Sequence, residues 1–229
     1  LRGLPIDAHV GARHYGIGNY EGAEFLIMEF IDGRPVIDLI DESPDGRLPE
    51  KQALTVGLWL FHTLDLLHTQ LKKSYIDLKF ENLWWEGSPE TGRLRMTDFG
   101  TLEDIPAGNK RPVRRDLLIA GCYLCKLLTG YMPHYVVGEL RDQPVPRIQR
   151  ADISWGARQL LIRLLHPNPE ERPQRAGDVL ASPWPNLNGL IDLVAYWNID
   201  NLAGMKERSW EKGQGQTGEE QVKAYTRAR

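Results

Sequence analysis

Cysteine, long apolar runs and net charge are all scarce in this chain of 229 residues. Its two cysteines cannot build a disulfide framework. No apolar run approaches the roughly 20 residues that a membrane-spanning helix needs, and no secretory signal is visible. The formal net charge of −3 gives no electrostatic basis for non-specific binding to nucleic acid. We therefore expect a globular domain, cytoplasmic by default, with neither a membrane span nor a nucleic-acid partner.

Short strands are predicted in the first third of the chain and just beyond it. The stretch from Tyr15 to Phe30 holds two apolar segments around Asn19-Tyr20-Glu21-Gly22, which is typical of two strands joined by a turn. A short helix is predicted from Pro35 to Ile40. Two further short strands are predicted at residues 83–85 and 94–96, on either side of a glycine-containing turn.

A mostly helical body is predicted for the rest of the chain. From residue 49 to about residue 68, apolar residues spaced by three or four positions form one helical stripe: Ala53, Val56, Leu60, Leu64 and Leu67. Residues 117–128 are apolar on almost every face, which is typical of a helix at the centre of a helical domain. We expect Asp116 at the start of that helix. Ser154 is the expected N-cap of another helix.

Two segments hold polar residues suited to phosphoryl transfer. They read Tyr75-Ile76-Asp77-Leu78-Lys79-Phe80-Glu81-Asn82 and Thr97-Asp98-Phe99-Gly100. Together they supply a carboxylate, an ammonium, an amide and a second carboxylate, and phosphoryl transfer depends on positioning and on neutralising charge. The alternative interpretation is that these residues only form turns.

The pattern Asp-x-Lys-x-x-Asn followed by Thr-Asp-Phe-Gly resembles the catalytic half of a eukaryotic-type serine/threonine protein kinase. The resemblance implies an α+β, protein-kinase-like fold with a mostly helical C-terminal lobe and a remnant of the N-terminal sheet. Residues 1–31 would be that remnant with its hinge, residues 32–203 the C-terminal lobe, and residues 204–229 a polar tail.

The resemblance also implies roles for residues of the two segments. Asp77 would be the catalytic base, and Lys79 would contact the transferred phosphate. Asn82 and Asp98 would hold Mg²⁺ through oxygen atoms, which that ion prefers. Asp116 would hold the backbone of the catalytic loop.

ATP is the nucleotide that the resemblance implies, bound at the hinge. Met28 would lie at the back of the pocket, although a purely structural core role for it is equally compatible with the sequence. The backbone from Glu29 through Phe30 to Ile31 would hydrogen-bond adenine. Trp84 would lie on the strand beneath the base. The implied partners are ATP and a protein substrate, with a small-molecule substrate less favoured.

The chain departs from the family pattern before the hinge and in the catalytic loop. No Gly-rich phosphate loop and no strand lysine precede Tyr15, so we expect weak nucleotide binding if nothing upstream supplies them. Tyr75 and Ile76 stand where the family has His and Arg. Tyr75 can still pack under Phe99, whereas Ile76 cannot bind a phosphate as an arginine does.

Two more departures follow the second segment. Only 18 positions separate Asp98 from Asp116, and Thr101 is the only hydroxyl residue after Gly100 in that interval. We therefore expect no switch by activation-loop phosphorylation. Arg172, which resembles a structural arginine of the family, lacks its usual glutamate partner.

Three functions remain open from the sequence. The favoured one is an ATP- and Mg-dependent protein kinase. The missing phosphate loop and strand lysine also suit a pseudokinase that only binds or scaffolds. The short interval after Asp98 also suits a kinase that acts on small molecules.

Overall fold

The computed structural model describes residues 11–89, 91–136, 138–184 and 187–203, and of residues 197–203 it describes the backbone alone. Two antiparallel strands, β1 (His14–Tyr20) and β2 (Ala23–Met28), form a hairpin at its amino end. Glu21 and Gly22 join them with φ of 51° and 83°, as a tight hairpin turn requires. The predicted strand pair is confirmed. Residues 1–10 of the predicted remnant and the tail at 204–229 lie outside the described residues.

Three other small antiparallel sheets follow along the chain. Their strands are β3 (Gly33–Pro35), β4 (Lys73–Tyr75), β5 (Leu83–Glu86), β6 (Arg93–Met96), β7 (Leu102–Asp104), β8 (Tyr135–Val136) and β9 (Glu139–Leu140). The order of the largest sheet is β3-β5-β6, while β4 pairs with β7 and β8 with β9. The predicted strands at residues 83–85 and 94–96 are therefore present as β5 and β6.

The helices form the larger part of the fold. They are α1 (Val36–Asp41), α2 (Glu50–Leu66), α3 (Arg111–Thr129), α4 (Val145–Arg150), α5 (Trp155–Leu164), α6 (Ala176–Leu180) and α7 (Leu190–Ala203). A short π-helix, Leu67–Leu71, continues α2. The hydroxyl of Ser154 accepts a hydrogen bond from the backbone N–H of Ala157, which confirms the predicted N-cap of α5.

The core lies around α2 and α3. Helix α2 packs against α3, α6 and α7, and α3 also packs against α5. Every residue of α3 from Asp116 to Cys125 is buried, as are Leu127 and Leu128, so the predicted central helix is confirmed. Cys122 and Cys125 are free thiols inside this helix.

The expected start of this helix was wrong. Helix α3 begins at Arg111, so Asp116 is buried in its second turn instead of beginning the helix. Pro112 lies in the first turn, where its missing N–H has no helical partner to lose. The side chain of Arg114 binds Glu170 and Gln174.

None of the helices within the described ranges combines the length and apolarity needed to cross a membrane. The pairing of β5 with β6 brings two loops close to each other. The loop between β4 and β5 contains Asp77, and the turn after β6 contains Asp98.

Candidate active site

Asp77 and Lys79 contact each other in the loop between β4 and β5. The Nζ atom of Lys79 donates a hydrogen bond of 2.6 Å to Oδ2 of Asp77. This hydrogen bond and the negative charge of Asp77 raise the pKa of Lys79 above its ordinary value. Both side chains remain more than a third exposed, so the pair adds little to folding stability. A substrate can therefore reach both groups.

Asn82 ends a 3-10 turn, Phe80–Asn82, and is buried beside this pair. Its Nδ2 atom donates to the backbone carbonyl of Asp77 at 3.0 Å and to the hydroxyl of Tyr75 at 3.2 Å. An amide nitrogen has two hydrogens to donate, and both are used here. The orientation of the amide is thereby fixed, and its oxygen is the atom left to act as a ligand.

Tyr75 links the two sequence segments through its ring and its hydroxyl. The ring is fully buried and packs edge-on against Phe99, with 5.8 Å between centroids, which confirms the predicted contact. The hydroxyl donates to the carbonyl of Thr97 at 2.5 Å while accepting from Asn82. Burial raises the pKa of Tyr75, so the phenol stays protonated. The hydroxyl role was not predicted from the sequence.

Asp98 follows Thr97 with backbone angles in the left-handed region, at φ 60° and ψ 51°. Asp is one of the few residue types that tolerate this region, and strain of this kind concentrates at functional sites. Its neighbour Phe99 is buried, while Asp98 is exposed. The charge of Asp98 contributes to the raised pKa values of Lys79 and Tyr75, so it acts on the same small region.

Asp116 holds the start of the loop that contains Asp77. Its Oδ2 atom accepts from the backbone N–H of Tyr75 at 2.9 Å and lies 2.9 Å from Nε2 of His68. Its other oxygen accepts from the guanidinium of Arg115. The contact with Tyr75 is the one that the resemblance implied for Asp116.

The hinge predicted at residues 28–31 begins at Met28, the last residue of β2. Its Glu29 pairs with the backbone of Arg13, since its N–H donates to the Arg13 carbonyl at 2.7 Å and its carboxylate accepts from the Arg13 N–H at 3.0 Å. Met28 is half-buried, Ile31 is buried and Phe30 is 87% exposed. Hydrogen bonds from the Arg13 backbone and from Arg95 lower the pKa of Glu29.

Arg95 is a residue whose importance the sequence did not indicate. It lies in β6 with 1% of its side chain exposed, and its guanidinium contacts Glu29 at 2.7 Å and Glu86 at 3.3 Å. It also donates to the carbonyl of Gly11 at 2.9 Å. β6 alternates Arg93, Leu94, Arg95 and Met96, so its pattern gives no sign that one of the two arginines is buried.

Trp84 lies in β5, two residues beyond Asn82 and half-buried. It pairs with Pro35 of β3 on one side and with Arg95 on the other. Trp85 beside it is buried in the core. The predicted contact of Trp84 with adenine stays a prediction.

A magnesium site at Asn82 and Asp98 also stays a prediction. Among the described residues no group of three or more His, Cys, Asp or Glu side chains is placed to hold a metal. Mg²⁺ nevertheless is commonly bound by one or two protein ligands, with phosphate and water completing its shell. One amide oxygen and one carboxylate fit that requirement.

The segment after Asp98 includes β7, which pairs with β4. It therefore lies directly against the strand that precedes the loop containing Asp77. The hydroxyl of Thr101 is buried and has no hydrogen-bond partner within the described ranges. Arg172 donates to the carbonyls of His166 and Pro167. These carbonyls replace the glutamate partner that the sequence could not supply.

Comparison with known proteins agrees with the resemblance. The chain is 27% identical over 70% of its length to CBL-interacting serine/threonine-protein kinase 16 of Arabidopsis thaliana. It is 24% identical over 75% to MAP kinase kinase kinase wis4 of Schizosaccharomyces pombe, and 23% identical over 83% to probable serine/threonine-protein kinase PknB of Bifidobacterium longum. No family model matches the chain.

The structure and these similarities together show that the molecule has an α+β, protein-kinase-like fold. More particularly, the chain is similar to serine/threonine protein kinases over most of its length, which confirms the recognition made from the sequence. It spans 40%, 15% and 32% of the length of these three relatives, in the order given.

Proposed function

We propose that this chain supplies the catalytic loop and metal-binding half of a phosphotransferase. It would transfer the terminal phosphate of ATP to serine or threonine hydroxyls of a protein. The observation that carries the proposal is the convergence of Asp77, Lys79, Asn82 and Asp98 around the buried phenol of Tyr75. The similarity to serine/threonine protein kinases supports the choice of reaction.

Asp77 is the base that orients and accepts the proton of the attacking hydroxyl. It is exposed enough to meet a substrate, and its backbone carbonyl is fixed by Asn82. Lys79 brings a positive charge to the transferred phosphate, and its raised pKa keeps it protonated at neutral pH. Such charge stabilisation is usually the largest contribution to phosphoryl transfer.

Asn82 and Asp98 would hold Mg²⁺, which when bound would neutralise charge on the phosphates. Tyr75 fixes the position of these two ligands relative to each other. Its hydroxyl contacts the Asn82 side chain and the carbonyl of Thr97, the residue before Asp98. The hinge backbone at residues 29–31 and Trp84 would contact adenine. A cytoplasmic location remains a prediction.

The test is transfer of labelled phosphate from Mg-ATP by the full chain, with casein as the protein acceptor. Asp77→Asn should lower the rate by about 10²-fold or more, since a positioned base is worth this much. The matched control is Asp104→Asn, an exposed aspartate that pairs with Lys73 on a neighbouring strand. Equal rates for the two variants would exclude Asp77 as the base.

Nucleotide binding separates this function from a binding module. If calorimetry shows no heat of binding for Mg-ATP and the full chain transfers no phosphate, the pseudokinase alternative is supported. Binding without transfer in both wild type and Asp77→Asn would indicate the same. Transfer that depends on Asp77 rules it out.

A small-molecule substrate is favoured by one observation. The chain after Asp98 forms only a 3-10 turn, the three-residue β7 and a short loop before α3 begins at Arg111. This leaves little chain to build a surface for a peptide. Aminoglycosides and small alcohols should therefore be assayed beside casein, and transfer to them alone would replace the protein substrate.

We further propose that this site is not switched by phosphorylation of the segment after Asp98. The hydroxyl of Thr101 is buried, so a second kinase could not reach it without unfolding the turn. Thr101→Val keeps the side-chain shape while removing the hydroxyl. Its transfer rate should equal that of wild type, and a large loss would contradict the proposal.

A further inference from the structure

A buried guanidinium links the hinge to the body of the molecule. Arg95 contacts the carboxylate of Glu29 in the hinge, the carbonyl of Gly11 in the segment before β1, and Glu86 in the neighbouring strand β5. The backbone from Gly11 also meets β6 directly, since the Ala12 N–H donates to the Met96 carbonyl at 3.3 Å. Three separate parts of the chain therefore meet at one side chain.

The electrostatic arrangement favours this contact strongly. A buried guanidinium needs compensating charge, and Arg95 has the carboxylates of Glu29 and Glu86 beside it. Glu86 also pairs with Arg93, whose Nε atom lies 2.6 Å from Oε2 of Glu86. Glu29 has Arg95 as its ion-pair partner and otherwise accepts from the Arg13 backbone. The Glu29–Arg95 contact thus connects the hinge with β6.

The same strand leads directly into the candidate metal ligand. Arg95, Met96 and Thr97 are consecutive, and Asp98 comes next. Met96 is fully buried, and Thr97 is held both by its N–H to the Asn82 carbonyl and by the hydroxyl of Tyr75 on its own carbonyl. The strand between Arg95 and Asp98 has little freedom to adjust, so a shift of the hinge relative to Arg95 is a shift relative to Asp98.

We propose that Arg95 is a positioning residue that fixes the adenine-binding hinge relative to the metal-binding Asp98. Arg95 touches neither nucleotide nor substrate, and it acts through the carboxylate of Glu29. The nucleotide part of this inference rests on the proposed function, whereas the anchoring of the hinge does not.

The guanidinium fork is what this role requires. Its separate N–H groups let one side chain bind Glu29 and Gly11 through one nitrogen and Glu86 through the other. Lysine would carry its charge and all its donors on a single nitrogen, whereas these three acceptors are arranged around two nitrogens of the fork. Arg95→Lys should therefore be intermediate between wild type and Arg95→Met, which keeps the unbranched stem of the side chain and removes the guanidinium.

The experiment measures hydrogen exchange and Mg-ATP kinetics on the full chain. In Arg95→Met, amides of residues 28–31 should exchange about tenfold faster, because local opening no longer breaks the ion pair. The KM for Mg-ATP should rise about tenfold with little change in kcat, as expected when binding is lost uniformly. Glu29→Gln should shift both quantities in the same direction and leaves Arg95 in place, so it serves if Arg95→Met does not fold.

Leu94→Val is the matched control, since Leu94 is a buried residue next to Arg95 on the same strand. It should change exchange throughout the core and leave the hinge no more affected than the rest. Hinge exchange that is unchanged in both Arg95→Met and Glu29→Gln would overturn the proposal, as would faster exchange with an unchanged KM. If wild type binds no Mg-ATP, the proposed function fails while the exchange result still decides whether Arg95 anchors the hinge.

Discussion

The Nζ atom of Lys79 lies 2.6 Å from Oδ2 of Asp77, on a loop that exposes both side chains. A second lysine-aspartate pair lies nearby, between Lys73 of β4 and Asp104 of β7, at 2.9 Å. The two pairs have similar nitrogen–oxygen distances, and Lys73 and Lys79 lie on either side of residues 74–78 along the chain. They differ in surroundings, since only the first has Asn82 and Asp98 close to it. Comparing them separates the effect of an ion pair from the effect of a site.

Replacing Lys79 with methionine tests that comparison. Lys79→Met should lower the kcat/KM of phosphate transfer by about 10²-fold, because a cation positioned on the transferring phosphate is lost. Lys73→Met should leave the rate unchanged. Both variants should unfold at nearly the same urea concentration as wild type, since exposed pairs contribute little to stability. Equal rates for both would show that Lys79 is only a surface residue.

The backbone of Asp98 gives a prediction in which stability and activity move apart. Asp98→Gly should be more stable than Asp98→Ala by about 1 kcal/mol, because a side chain costs this much in the left-handed region. Neither variant should transfer phosphate if Asp98 holds the metal. Lys72→Gly is the control, since Lys72 has φ 54° outside the site and should gain stability with its activity intact. No difference in urea midpoint between Asp98→Gly and Asp98→Ala would mean that this backbone geometry carries no strain.

Tyr75→Phe isolates the hydroxyl that joins the two sequence segments. The ring contact with Phe99 is kept, while the bonds to Thr97 and Asn82 are lost. Unfolding free energy should fall by about 1–2 kcal/mol, because a buried carbonyl loses its donor. The Mg²⁺ concentration needed for half-maximal activity should also rise, which a loss of folding stability alone would not cause. This is measured by titrating Mg²⁺ at fixed ATP; an unchanged magnesium midpoint would show that the phenol only supports the fold.

Alkaline pH should destabilise the fold through its buried thiols. Burial raises the pKa of Cys125 from its ordinary 9.0 to about 11, and it raises that of Cys122 as well. Both groups are deprotonated more easily in the unfolded chain, so their contribution is fully present below pH 9.0 and is lost as pH rises through the folded values. Each should contribute a slope of up to about 1.4 kcal/mol per pH unit above that point.

The measurement is urea unfolding between pH 7 and pH 10.5. Cys125→Ala should reduce the alkaline slope, and Cys122→Ala should reduce it in the same way. Replacing Cys125 creates a small cavity and lowers stability at every pH, so the slope and not the absolute value is the quantity to compare. A slope that is the same in wild type and in both variants would exclude the thiols as its cause.

The sequence was sufficient for elements whose signal is local. The apolar stripe of α2, the all-round apolar run of α3 and the Ser154 cap each depend on neighbours a few positions away. The hairpin turn at Glu21 and Gly22 is local in the same sense. The motif around Asp77 and Asp98 was recognisable because its spacing along the chain is itself the signal.

The sequence was insufficient where the partner is distant along the chain. Arg95 and Glu29 are 66 positions apart. The alternation of residues in β6 does not show whether an arginine side chain contacts the hinge or is exposed to solvent. The start of α3 was missed for a different reason, because its first turn is polar and half-buried through contacts with Glu170 and Gln174.

The hairpin of β1 and β2 determines where local unfolding of the molecule begins. Large apolar side chains of this region are exposed, and they are Tyr15, Ile17, Tyr20, Phe25, Leu26, Ile27 and Phe30. A two-stranded hairpin with this little burial is marginal in water, whereas its base is held by Arg13 and Arg95. Opening should therefore start at the Glu21–Gly22 tip and stop at Glu29. Breathing of this kind would expose the strands to proteases while the helical body, and the loop with Asp77, stays folded.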